Sequence, residues 1–249
     1  MSKAQAKRMN LTLSVFPGWA DLLGRGFSDE GFCVVRGPDI VWGQDIRDFH
    51  VPSGRFAGVI GGPPCQRFCS IRKIIEKQGA RAAEDLIPEF ARIVGEARPR
   101  WFLMENVEAA YEPHTPGYHT QTFLLDCRVF GVRQKRRIRS FTFGALSKGL
   151  LVRMLPYREQ MTKLQDCDYS ALASEGRRGK LQWKNGHKVG RRICKTRPWA
   201  AFCQLQGLPD GYDMPGLLKK AKYESLGNGV PLPVARGFAR AIREATENR

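Results

Sequence analysis

Several features that mark whole classes of proteins are missing from this sequence of 249 residues. It has no run of eighteen apolar residues, so it predicts no membrane-spanning helix. The basic N-terminal residues run into LTLSVF without the long apolar stretch of an export signal, and we therefore expect a cytoplasmic protein. The seven cysteines show neither paired CxxC spacing nor a cluster with histidine, which argues against a metal site, and their odd number does not suit a disulfide framework.

Acidic residues are few relative to basic ones. The chain has 24 Asp and Glu residues against 41 Lys and Arg residues, which gives a formal charge of +17 and a pI near 10.0. Such an excess favours a polyanionic partner, and nucleic acid is favoured over a membrane surface because no basic amphipathic helix dominates the sequence. On composition alone, a basic surface that is merely solvated is the alternative.

Alternation of apolar strands and helices predicts the fold of the first 144 residues. Helical spacing occurs over 20–27 and about 80–97, the latter despite Pro88, and again over 234–246. Strands are predicted for LTLSVF at 11–16, CVVRG at 33–37, FAGVIGG at 56–62, RWFLMENV at 100–107 and RSFTFG at 139–144. The pattern indicates an α/β protein with a doubly wound, mostly parallel sheet and helices on both faces.

The stretch from 145 to 196 has a different character. It shows no strong periodicity and interleaves many lysines and arginines with Trp183, His187 and several glycines. We predict a small irregular lobe there that suits a polyanion.

Two chemically capable residues follow predicted strands. Cys65 lies in GGPPCQRFCS, in a turn that the glycines and prolines enforce, where a thiolate can act as a nucleophile. Taken alone, a PPC tripeptide is more simply a structural cysteine. Glu105 in MENV ends another predicted parallel strand, and the carboxyl ends of neighbouring parallel strands converge on one cleft. We therefore expect the thiol and the carboxyl group to share a site, with GVRQKRRIR at 131–139 as a third polar element.

The order of these motifs resembles that of the cytosine-5 DNA methyltransferases. PPCQ at 63–66, ENV at 105–107, QxR at 134–136 and LGNGVPLPVA at 226–235 occur in the family's order. SVFPGW at 14–19 is similar to the family's cofactor turn, GQDIRDF at 43–49 to its Gly-Asp-Ile element, and RPWAAFCQLQGLPDGY at 197–212 to the segment that leads out of its target-recognition lobe. The sequence thus resembles a compact bacterial or phage member over about residues 11–246, with 145–196 unmatched.

This resemblance implies an activity. A methyl group would pass from S-adenosyl-L-methionine to carbon 5 of a cytosine flipped out of double-stranded DNA, leaving S-adenosyl-L-homocysteine. Cys65 would add to carbon 6 of the base, Glu105 would support protonation at ring nitrogen 3, and Arg136 would orient the cytosine. The resemblance also implies a protein without a metal that acts as a monomer in a bacterium or a phage-infected host.

The remaining site residues are likewise implied by the resemblance. The cofactor would contact Phe16, Gly18, Trp19, Asp39, Asp45, Ile46, Pro64, Asn228 and Val230. The DNA would contact Gln66, Gln134, Arg137, Arg139, Arg178, Lys180, Lys184, Lys188, Arg191 and Arg192. Three regions are expected: a catalytic and cofactor-binding core at 11–144, a target-recognition lobe and hinge at 145–221, and a C-terminal segment at 222–246 that packs back on the core.

The sequence departs from the family's pattern in three places. An ungapped comparison puts Pro38 where the acidic residue for the ribose is expected, with Asp39 next to it. Ile138 stands where the second arginine of QxRxR is expected, between Arg137 and Arg139, and Pro17 and Gly229 replace the commoner Ala or Ser.

Two alternatives share the same core. One is an RNA cytosine-5 methyltransferase acting on tRNA, and the other is a noncatalytic DNA-binding homologue. A thiol-dependent hydrolase is disfavoured because no histidine follows Cys65 in a setting that suggests a Cys-His pair.

Overall fold

A six-stranded sheet forms the centre of the computed structural model, which describes residues 10–68, 83–135, 138–148, 150, 152, 163–176, 181–184, 187–191 and 196–247. The strand order is β2-β1-β3-β4-β6-β5. The strands are β1 (Leu11–Val15), β2 (Cys33–Arg36), β3 (Gly58–Gly61), β4 (Trp101–Asn106), β5 (His119–Asp126) and β6 (Ile138–Ala145). Strands β1 to β4 pair in parallel, whereas β6 is antiparallel to both β4 and β5. The predicted α/β class with a mostly parallel sheet is confirmed.

Helices cover both faces of this sheet. The helices are α1 (Leu22–Asp29), α2 (Ile87–Ala97), α3 (Trp199–Leu205), α4 (Lys219–Asn228) and α5 (Leu232–Glu247). Alternate residues of β4 point to opposite faces. Trp101 joins the cluster formed with α1 and α5, and Phe102 joins the cluster formed with α2. Among the helices of the described residues, none has the length and apolar character needed to cross a membrane.

Several elements differ from those that the sequence pattern predicts. The helix expected over about 80–97 begins only at Ile87, because Pro88 fits a first helical turn and the Asp85 carboxylate accepts a hydrogen bond from the Ile87 amide (3.0 Å). Residues 80–82 lie outside the described residues. Strand β5 and helices α3 and α4 were not predicted. The lobe expected to be irregular contains a hairpin of β7 (Leu181–Lys184) and β8 (His187–Arg191).

The chain direction of the strands places particular residues at one edge of the sheet. Strands β1, β3 and β4 are parallel, so all three end at the same edge. Strand β6 begins there, because its antiparallel pairing sets Ser140 opposite Asn106. The C-terminal region reaches this edge as well, since the Ser225 hydroxyl on α4 accepts a hydrogen bond from the Ala20 amide (3.0 Å).

Candidate active site

The Cys65 loop leaves the end of β3 through Gly62, Pro63 and Pro64 and forms a single 3-10 turn, Cys65–Arg67, in which the Cys65 side chain is half-buried. Hydrogen bonds of Asn106 connect this loop to the end of β4. Its buried side-chain amide donates to the Pro63 carbonyl (3.2 Å) and its oxygen accepts from the Val107 amide (2.8 Å). Asn106 is therefore a positioning residue that sequence reasoning missed, although it lies within the ENV motif.

Glu105 lies beside the same loop. A Cβ atom added to Gly62 would lie 3.0 Å from Glu105 Oε2. Any larger residue at position 62 would therefore crowd the carboxylate. The Glu105 side chain is 8% exposed, and Arg139 Nη1 lies 3.2 Å from its Oε1. Oε1 is buried and accepts no hydrogen bond within the described part of the chain. The arginine thus neutralises the buried charge of the carboxylate.

Arg139 lies in the active site. We expected it on the DNA-binding surface, but its side chain is only 12% exposed and its guanidinium faces Glu105. The antiparallel direction of β6 is the reason, because the start of this strand lies opposite the end of β4. Ile138, at the position expected for the second arginine of QxRxR, is 45% exposed. Arg136 and Arg137 lie outside the described residues.

Gln134 was likewise predicted to contact DNA. It is fully buried. Its amide nitrogen donates to the Leu205 carbonyl (2.7 Å) and to Gln206 Oε1 (3.1 Å), and its oxygen accepts from the Ala171 amide (2.8 Å). These bonds join the segment before β6 to α3 and to residues 163–176. In this structure the side chain of Gln134 is hydrogen-bonded inside the protein.

The turn after β1 has the shape of a binding site for a polar ligand. Phe16 (φ +54°) and Gly18 (φ +58°) are both left-handed, and no described atom lies within 4 Å of the position that a Cβ on Gly18 would take. The Asp39 carboxylate accepts from the Gly18 amide (2.7 Å) and from the Val41 amide (3.0 Å). Trp19 contacts Trp42 edge to face, with ring centroids 5.6 Å apart.

These groups fit an adenosine moiety. A carboxylate beside an open glycine turn can accept hydrogen bonds from ribose hydroxyls, and exposed indole rings can stack on a base. The ungapped comparison placed buried Pro38 at the position of the family's acidic residue. The contact between Asp39 and the Gly18 turn supports Asp39 as the residue that fills this role.

Buried Asp21 holds this turn in place and was not among the predicted residues. It caps α1 by accepting from the Gly24 amide (2.9 Å), and it also accepts from the Ser14 hydroxyl (3.0 Å) and Arg36 Nε (3.2 Å). Burial raises the pKa of its carboxyl group above the ordinary value, an effect that these donors oppose. An aspartate directly before an apolar helical run is a typical N-cap signal that could have identified it.

Other predicted cofactor residues lie in varied settings. Asp45 caps the turn Ile46–Asp48, and its hydrogen bonds with Arg47 lower its pKa to about 2. The side chains of Ile46 and Val230 are buried in the core, whereas Asn228 is exposed at the end of α4. Pro64 lies directly before Cys65 at the start of its turn.

The predicted DNA-binding residues of the lobe are only partly described. Gln66 is exposed next to Cys65. Lys184, Lys188 and Arg191 lie on the strands of the β7–β8 hairpin, whose backbone alone is described. Arg178, Lys180 and Arg192 lie outside the described residues.

Comparison with known proteins assigns this arrangement to a family. Residues 41–175 match the family described as C-5 cytosine-specific DNA methylase. The type II methyltransferase M.HindV of Haemophilus influenzae is 38% identical over 228 residues, which cover 74% of each chain. M.HgiDI of Herpetosiphon aurantiacus is 35% identical over 45% of this chain, which spans only 41% of that relative's length.

Solved structures agree on the fold. The Entamoeba histolytica methyltransferase EhMeth superposes with a TM-score of 0.61 at 13% identity and covers 94% of this chain and 98% of its own. S. pombe Dnmt2 superposes with a TM-score of 0.56 at 13% identity, with the same coverage. The chain therefore belongs to the family of C-5 cytosine-specific DNA methylases, enzymes that use S-adenosylmethionine as the methyl donor.

Proposed function

We propose that this protein methylates carbon 5 of cytosine in double-stranded DNA through a covalent adduct with Cys65. One observation carries the proposal: the buried Glu105 carboxylate, neutralised by Arg139, lies beside the Cys65 loop at the edge where the parallel strands end. The formal charge of +17 and the match to a DNA methylase family support DNA as the substrate. The type II relatives support a role in restriction-modification, and we retain the expectation of a cytoplasmic monomer.

Carbon 5 of cytosine is a poor nucleophile and has to be activated. The Cys65 thiolate adds to carbon 6 and forms a carbon–sulfur bond, while the electrons of the 5,6 double bond shift into the ring as nitrogen 3 is protonated. The Glu105 carboxylate stabilises the positive charge that protonation places at nitrogen 3. Bound S-adenosylmethionine would supply the methyl group that becomes attached to carbon 5 and would leave as S-adenosylhomocysteine. Loss of the carbon-5 proton to a base and elimination of the thiolate then restore the double bond.

The target base has to leave the helix to reach a half-buried thiol. Flipping costs a few kcal/mol of stacking and pairing, which contacts to phosphates can offset. The affinity for DNA should therefore fall steeply with salt.

Transfer of labelled methyl from S-adenosylmethionine tests the proposal. Unmethylated duplex DNA and tRNA are compared as substrates for the parent protein, Cys65→Ser and the control Cys33→Ser, which changes an exposed cysteine on β2. We expect methyl on cytosine carbon 5 of DNA, located by bisulfite sequencing, with the parent and Cys33→Ser only. Undiminished transfer by Cys65→Ser would refute the covalent adduct. Label on tRNA alone would make the substrate RNA, and cofactor binding without transfer would indicate a noncatalytic homologue.

Glu105→Gln tests the role of the carboxylate separately. The amide has nearly the same shape but carries no negative charge to stabilise a proton on nitrogen 3, so we expect single-turnover methyl transfer to slow by about 10²-fold to 10⁴-fold. Exposed Glu108, three residues further along, provides the control Glu108→Gln, which should retain the parent rate. Equal rates for both variants would remove Glu105 from the mechanism.

A further inference from the structure

Tyr169 presents its ring to solvent in a manner that core packing does not explain. It is 74% exposed, against 47% for Tyr111 and 40% for Trp19. The ammonium group of Lys135 lies over this ring, 5.4 Å from its centroid. An aromatic face next to a cation is a combination that binds nucleic acid, because the ring can stack while the cation contacts a phosphate.

The backbone around Tyr169 is firmly held. The Lys135 amide donates to the Asp168 carbonyl (2.8 Å), and the Ser170 hydroxyl donates to the Lys135 carbonyl (2.6 Å). Arg197 Nη2 donates to the Tyr169 carbonyl (2.8 Å), and its Nε lies 3.1 Å from Asp168 Oδ2. The backbone that carries the exposed ring is therefore held in place before any ligand arrives, which lowers the entropic cost of binding.

Lys135 lies close to the active site along the chain. Lys135 is four residues before Arg139, whose guanidinium faces Glu105. Four residues span at most about 14 Å. That length corresponds to about four base-pair steps of duplex DNA. A strand whose cytosine reaches Glu105 thus has neighbouring nucleotides within reach of Lys135.

We propose that Lys135 and Tyr169 bind the DNA strand next to the flipped cytosine. The Lys135 ammonium contacts a phosphate, and the Tyr169 ring packs against the adjoining sugar and base. This inference rests on the proposed function and adds a contact outside the catalytic pocket.

Fluorescence anisotropy of labelled duplex DNA, measured over a range of NaCl concentrations, tests the contact. We expect Lys135→Gln to reduce the slope of log Kd against log salt by about 0.9, the value for one phosphate. The control Lys148→Gln removes a lysine beyond the end of β6, at the opposite edge of the sheet, and should leave the slope unchanged.

The ring is tested in the same assay. Tyr169→Ala should weaken binding about fivefold or more, whereas Tyr169→Phe keeps the aromatic face and should bind like the parent. Leu124→Ala, which truncates an exposed residue on β5, controls for loss of a surface apolar group. The thermal midpoints of Lys135→Gln and Tyr169→Ala should match that of the parent, because neither side chain is part of the core.

The outcomes separate the two proposals. If the parent binds duplex DNA and both Lys135→Gln and Tyr169→Ala bind it equally well, this inference alone is overturned. If the parent binds no duplex DNA, the proposed function fails and the inference fails with it.

Discussion

Replacing Gln134 by leucine keeps the volume of a buried side chain and removes the hydrogen bonds to Leu205, Gln206 and Ala171. The change leaves the Leu205 carbonyl, Gln206 Oε1 and the Ala171 amide without these partners in the protein interior. Each buried polar group that loses its partner costs about 1–3 kcal/mol. The three together should lower the free energy of unfolding by about 3 kcal/mol or more, a large share of the roughly 5–15 kcal/mol that stabilises a typical protein.

Urea denaturation followed by tryptophan fluorescence measures this loss. With a slope of about 3 kcal/mol per molar urea, the midpoint should fall by about 1 M. Gln204→Leu is the matched control, because exposed Gln204 donates only to Asp210 at the surface (3.1 Å), and its midpoint should barely move. An unchanged midpoint for Gln134→Leu together with weaker DNA binding would refute the structural role and restore Gln134 as a DNA contact.

Two further predictions concern thiol reactivity and glycine packing. Burial raises the pKa of Cys203 to about 11, so at pH 8 its thiolate fraction is on the order of 10⁻³, and iodoacetamide should modify exposed Cys33 long before Cys203. Peptide mapping by mass spectrometry checks this order, and equal labelling in the folded protein would contradict it. Gly58→Ala should lower the free energy of unfolding by about 1–3 kcal/mol, because the new methyl group would overlap the buried Trp101 ring. Gly95→Ala, in open space on α2, should raise it by about 0.5–1 kcal/mol, and thermal shifts of the same sign in both variants would be inconsistent with this packing.

Local patterns were sufficient for the parallel part of the sheet. Each of the strands β1 to β4 lies within the range that its apolar run predicts. Strand β5 escaped notice because His119–Asp126 lies at the edge of the sheet, where polar residues are tolerated and the apolar signal is weak. Helix α4 begins with the residues KKAK. It has no row of apolar residues at helical spacing, so the sequence pattern did not reveal it.

By itself, the sequence determined the α/β class, the family and the placement of Cys65 and Glu105 at the carboxyl ends of successive parallel strands. Chain order and short-range periodicity encode these properties. Only the tertiary structure decided which neighbouring polar residues face inward. Arg139 reaches Glu105 because β6 runs antiparallel to β4, and Gln134 is buried because α3, about 70 residues later in the chain, packs over it. Such contacts depend on how distant segments pack together. The local sequence QKRRIR at 134–139 therefore does not predict them.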